Sequence, residues 1–223
     1  MGTSKNYIGL NDSKHSKTKK SLNEYLKDND RAIKITNFCR NFAISSKEEE
    51  RVINNLSTKI GSVIGIISSL SSGNNKVIIK EEEFDILEFN NAKDFFEYME
   101  SNNDTYTIDD KVIYNSLYET IEELGIEEFD ALKKLDINQF IIVFVANSVK
   151  NLFLQRYFGY ILDRVKSEVE AINICKEIAH YLYNEITINL TVEKSSEISK
   201  PNEFEQYANS QILAALKILE GEI

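Results

Sequence analysis

Two histidines are all that this 223-residue chain offers for base catalysis or imidazole ligation: His15 near its start and His180 in an apolar-periodic segment. Zinc sites built on paired histidines are out of reach with so few. Glu177-x-x-His180 has the spacing used by di-iron helical bundles, but those sites need the motif twice and no second Glu-x-x-His occurs. Cys175 and His180 lie five residues apart, about 140° round a helix axis, so they do not pair as nucleophile and base. Ser16-Lys17-Thr18-Lys19 matches the S-x-x-K of penicillin-binding enzymes without any companion motif. There is no P-loop and no dinucleotide-binding glycine pattern. The run Glu81-Glu82-Glu83 would point its carboxylates about 100° apart on a helix, which makes a solvated face rather than a metal cradle. Cys39 and Cys175 follow no metal or redox spacing and read as small hydrophobes in a reducing cytoplasm. The expectation is a chain with no catalytic centre, no cofactor and no metal.

The elements that would hold any site are helical. Asp136 to Leu162 organises the chain. Asp136 is placed to cap a helix, with Gln139 at the capping-box offset. Phe140, Val143, Phe144, Asn147, Asn151, Leu154, Phe158 and Ile161 mark one side, and Ile141, Val145, Leu152 and Tyr157 make much of the other side apolar. Its longest apolar run, Phe140 to Ala146, is far short of the roughly 20 residues that span a bilayer. This predicts a central buried helix that others wrap. One proline, eight glycines and no tryptophan also suit an all-α fold.

Around that centre, apolar periodicity predicts a helix from Asp30 to about Ser45. A second, opened by a Ser46/Glu49 capping box, runs to Leu70, then comes a loop at Ser71–Asn75. Ser57, Gly61 and Gly65 form a small-residue stripe, expected to admit a neighbouring helix closely. Val77–Lys80 reads as a short strand, and Glu81–Glu83 as the start of a helix turn. Ile186–Val192 alternates and offers a strand to pair with Val77–Lys80. Helices are also expected at Ala92–Met99, at Asp109–Leu124 with Gly125 as its cap, and at Val165–Ile186 with Val169 and Ile172 inward. The last opens at Pro201 and buries Phe204, Ala208, Ile212, Leu216 and Leu219. The layout is therefore a flexible basic leader over 1–28 and a helical domain over 29–223. Within that domain, 106–187 is a central block and 202–220 a C-terminal helix.

The leader differs in kind from the body. Six lysines against Asp12 and Glu24 give Met1–Lys27 a net charge of +4, leaving −14 for the rest of a chain whose total is −10. Few apolar residues offset its ordering entropy, so disorder is expected at least through Lys20. The acidic body argues against direct nucleic-acid binding. No apolar h-region follows the start, so neither a signal peptide nor a membrane association is expected and the compartment is read as cytoplasmic. Met1-Gly2-Thr3-Ser4 begins like an N-myristoylation signal, but position six is Asn, which rejects lipidation.

That same opening carries a resemblance. Gly2, Thr3, Ser4, Tyr7 and Gly9 are similar to the MGTSxSYGGPG start of QatB-like proteins, components of the Qat anti-phage defence systems of bacteria. The likeness resumes in the helical run from Thr107 to Phe153 and covers roughly a quarter of the chain. Ile8-Gly9-Leu10 stands where the family has Gly-Gly-Pro, and lysines and serines replace its proline-rich continuation. The resemblance implies a non-catalytic adaptor or substrate subunit, encoded beside an ATPase, a QueC-like enzyme and a TatD-like nuclease. It implies that Met1–Leu10 is a leader read, and processed or modified, by the QueC-like partner, with Gly9 or Gly2 as acceptor, while the helical body docks partners. The alternative reading is a self-assembling helical module that forms a homo-oligomer, for instance through the Gly61/Gly65 stripe. A carboxylate-dependent enzyme stands behind both.

Overall fold

The computed structural model describes residues 15–27, 31–79, 82–101, 108–192 and 201–221. Among these the chain forms nine α-helices and one two-stranded antiparallel sheet. The helices are α1 (Ser16–Lys27), α2 (Arg31–Lys47), α3 (Glu50–Ser71), α4 (Ala92–Ser101), α5 (Ile108–Glu123), α6 (Phe129–Leu132), α7 (Ile137–Leu162), α8 (Glu168–Asn189) and α9 (Pro201–Glu220). The strands are β1 (Lys76–Ile79) and β2 (Glu82–Asp85).

The all-α bundle is built round α7. An Asp136 carboxylate oxygen accepts from the backbone N–H of Asn138 at 2.9 Å and of Gln139 at 3.4 Å, filling orphan donors of the first turn. From Phe140 to Phe153 every residue but Ile142 and Lys150 is buried, because α5 and α8 flank the helix and α3 and α9 also reach it. α7 is the one described helix long and apolar enough to cross a membrane by length and composition, and 67% of its most apolar window is buried inside the fold.

α3 and α9 make the other long pairing, and the small-residue stripe explains it. A Cβ placed on Gly61 would stand 2.8 Å from both the Cα and the N of Glu205, so only glycine lets the two backbones meet there. At Gly65 an added Cβ would meet the Phe204 ring at 3.3 Å. The stripe is thus filled from within the chain, which corrects its reading as a homodimer face.

Several local expectations give way to packing. Ser46 caps nothing: α2 continues through Ser45 and Ser46 to Lys47, and Glu49 precedes α3 with no side-chain cap bond. Glu82 and Glu83 lie in a strand rather than a helix turn, paired in the register Val77↔Phe84 and Ile78↔Glu83. Lys76 Nζ sits 2.6 Å from Glu83 Oε1 across that pair. The strand expected at Ile186–Val192 is helix as far as Asn189, since Ile186 is buried in the bundle and burial outweighs β-branched propensity. On α8 the buried stripe is Ala171, Ile174, Cys175, Ile178, Ala179, Leu182 and Ile186. Val169 lies roughly 140° from its centre at 100° per residue and is 67% exposed, with Ile172 on the margin at 36%.

Candidate functional site

The largest departure from expectation is at the root of the leader. Residues 16–27, read as part of a flexible segment, form α1, which packs along α2. Thr18, Leu22 and Tyr25 recur at helical spacing and are buried, so this stretch has an inward face after all. The flexible stretch expected over 1–28 therefore does not include 16–27. Thr18 Oγ1 donates to the Asn41 carbonyl at 2.9 Å and lies 3.0 Å from Ser45 Oγ. Further along, Asn23 Nδ2 donates to the Tyr160 hydroxyl at 3.2 Å.

Immediately before α1, His15 is fully buried and uses both ring nitrogens. Nδ1 is 3.0 Å from the Tyr157 hydroxyl, and Nε2 pairs with one carboxylate oxygen of Glu49. The other Glu49 oxygen pairs with Arg156. In the tautomer protonated on Nε2, His15 donates to Glu49 and accepts from Tyr157. Three distant pieces of chain are joined this way: the entry to α1, the turn between α2 and α3, and the C-terminal part of α7. Burial alone would push the Glu49 carboxyl up, but the His15 hydrogen bond and the Arg156 guanidinium outweigh it and hold the group below its ordinary value. Burial pushes the Tyr157 hydroxyl well above its ordinary range. The Tyr157 ring in turn stands edge-on to Phe38 and Phe42, at 5.7 and 5.9 Å between centroids.

Histidine, carboxylate and tyrosine in contact have the parts of a proton relay. Here the histidine is excluded from solvent, and the phenol is held firmly protonated. As folded, the cluster acts as a clasp, with its charge balanced internally by Glu49 and Arg156.

A second polar seam joins α5 and α7. Asn147 Nδ2 donates to Thr120 Oγ1 at 3.0 Å, and Asn151 Nδ2 reaches Ser116 Oγ at 3.1 Å and Glu119 Oε2 at 2.7 Å. Lys150 donates to Asn147 Oδ1 at 2.6 Å and lies 3.1 Å from Glu119 Oε2. These bonds account for two buried asparagines on a mostly apolar helix: each fixes the register of α5 against α7.

The residues weighed for chemistry are scattered. Gly2, Thr3, Ser4, Tyr7 and Gly9 lie outside the described residues. Cys39 and Cys175 are buried, the Cys39 thiol pushed well above its ordinary value and that of Cys175 up to about 12, both chiefly by desolvation. His180 is exposed and lies 2.8 Å from Asn184 Nδ2, one turn on along the same helix. Of the S-x-x-K, Ser16 is exposed on α1 and Lys19 is half-buried. Among the described residues no group of three or more His, Cys, Asp or Glu side chains is arranged to hold a metal ion. The clasp escaped the sequence reading because its members are 34 and 107 residues apart; only the Thr18, Leu22, Tyr25 spacing signalled that His15 adjoins a packed helix. Comparisons with family models, with curated proteins and with solved structures find no match to this chain.

Proposed function

We propose that this chain is a non-catalytic subunit of a bacterial anti-phage defence system, acting in the cytoplasm as an adaptor or substrate. Its N-terminal leader is read by a QueC-like partner enzyme, with Gly2 or Gly9 as the position modified or cleaved. The helical body docks that partner, and further the ATPase and the TatD-like nuclease of the same operon. The observation that carries this reading is the pairing of a tag-like opening (Gly2, Thr3, Ser4, Tyr7, Gly9) with the similar run from Thr107 to Phe153. In the fold that run supplies α5, α6 and the first two thirds of α7, the helix that α5 and α8 flank and that α3 and α9 also reach. A peptide that an enzyme must draw into its cleft in extended form has to be separable from a stable body. The described side chains best suited to proton chemistry, His15, Glu49 and Tyr157, are engaged with one another.

Mass spectrometry of the intact protein, made with and without its operon neighbours, tests this. The expected result is a mass change confined to the first ten residues in the presence of the QueC-like enzyme. An unmodified, full-length terminus in both samples would remove the basis for the proposal.

A further inference from the structure

We propose that α1 is a detachable strap, a helix that leaves and rejoins the bundle as a unit while α2 to α9 stay folded, with the clasp of His15, Glu49 and Arg156 setting how often it opens. On its own a helix of twelve residues is marginal in water. This one has no acidic residue in its first turn and carries Lys17, Lys19 and Lys20 near its positive end, although Lys27 suits its last turn. It packs chiefly on a single neighbour, α2, whereas α7 is held from several sides. Two polar contacts join this segment to α7: His15 to Tyr157 and Asn23 to Tyr160. Lys19 also feels the like charge of Arg164, which is stacked on the Tyr160 ring at 3.3 Å.

The closed state carries a penalty of its own. Arg156 is 7% exposed, and its Nη1 is buried with no hydrogen-bond partner. Water admitted on opening would satisfy that group and hydrate Glu49 as well, which offsets part of what the clasp holds and keeps the opening within reach. Against this stand two fully buried anchors, Leu22 and Tyr25. Opening removes both from the bundle and, as His15 leaves, uncovers the Tyr157 ring, which the imidazole meets edge-on at 6.3 Å between centroids. The strap does not depend on what reads the leader.

Hydrogen exchange measured by mass spectrometry on the full chain tests the proposal. Amides in the second half of α1 are expected to exchange at least about a hundredfold faster than those of α7, as a segment that opens below the global limit does. His15→Ala should speed α1 by about tenfold more, the loss of one charge-assisted hydrogen bond, and leave α7 unchanged. Lys17→Glu, at an exposed site, should slow α1 by about threefold through the helix dipole. The proposal is overturned if α1 exchanges in step with α7 in the unaltered protein. It is equally overturned if Lys17→Glu leaves the rate of α1 where it was.

Discussion

Glu49 is the residue on which the most structure converges, and its ionisation makes the clasp dependent on acid. Its folded value lies below the roughly 4.3 of an unperturbed glutamate, so the stability it contributes is complete above that pH. That contribution is lost as pH falls through the lower, folded value. Urea titrations at stepped pH should therefore show an acid limb below about pH 4 that Glu49→Gln flattens. At neutral pH, Glu49→Ala should cost about 3–5 kcal/mol, because Arg156 is left buried without a counter-charge. An acid limb identical in the Gln variant would place the titration elsewhere. The individual residues of this contact were not legible in the sequence. Glu49 looked like the second half of a capping box with Ser46, and His15 like part of a solvated tail. Both readings use local spacing, whereas the true partner of each lies far along the chain.

At the scale of elements, the α3–α9 pairing gives the clearest test. Gly61→Ala places a methyl group against the backbone of Phe204 and Glu205, which must move. Overpacking of this kind costs about 1–3 kcal/mol and outweighs the roughly 1 kcal/mol that alanine gains in a helix. Gly65→Ala meets only a phenylalanine ring, a side chain that can turn, and should be close to neutral. Chemical denaturation of the two variants should separate them by at least about 1 kcal/mol, with Gly61→Ala the weaker; equal effects would show that the close approach carries no energetic weight. Elements fixed by strong local chemistry were legible: the Asp136 cap, the apolar run of α7, and Gly125 with its φ of 64° behind α5. Where local preference and burial disagreed, burial prevailed. Ile186 stays helical despite its β-branched neighbours, and Val169 faces outward because α8 turns a different stripe to the core. Two of the three glutamates at 81–83 became a strand because Val77 and Phe84 could share one face of a hairpin.

For the molecule as a whole, the fold class followed from the sequence and the closure of the bundle did not. Periodicity marks which residues are apolar, but it does not say that the last helix returns to the third. Because α9 covers α3 and also touches α2, α7 and α8, it is the piece that completes the core. A chain ending at Val192 should lose the cover over Ile60, Ile64 and the glycine stripe. Light scattering is expected to show it self-associating, with cooperative unfolding lost; a monomeric, cooperatively folded truncation would disprove the central place given to α9. The leader reading stands apart from this, since it concerns residues on the other side of the α1 strap.

The return of α9 to α3 also sets a timetable at the ribosome. About 130 residues separate Ser71 from Pro201, so at ordinary elongation rates the third helix waits roughly 6–30 s before its partner is even synthesised. Throughout that interval the nascent chain presents an unfilled groove lined with isoleucine, a natural substrate for chaperones. Slower elongation lengthens the time for which that face stays open, and faster elongation shortens it.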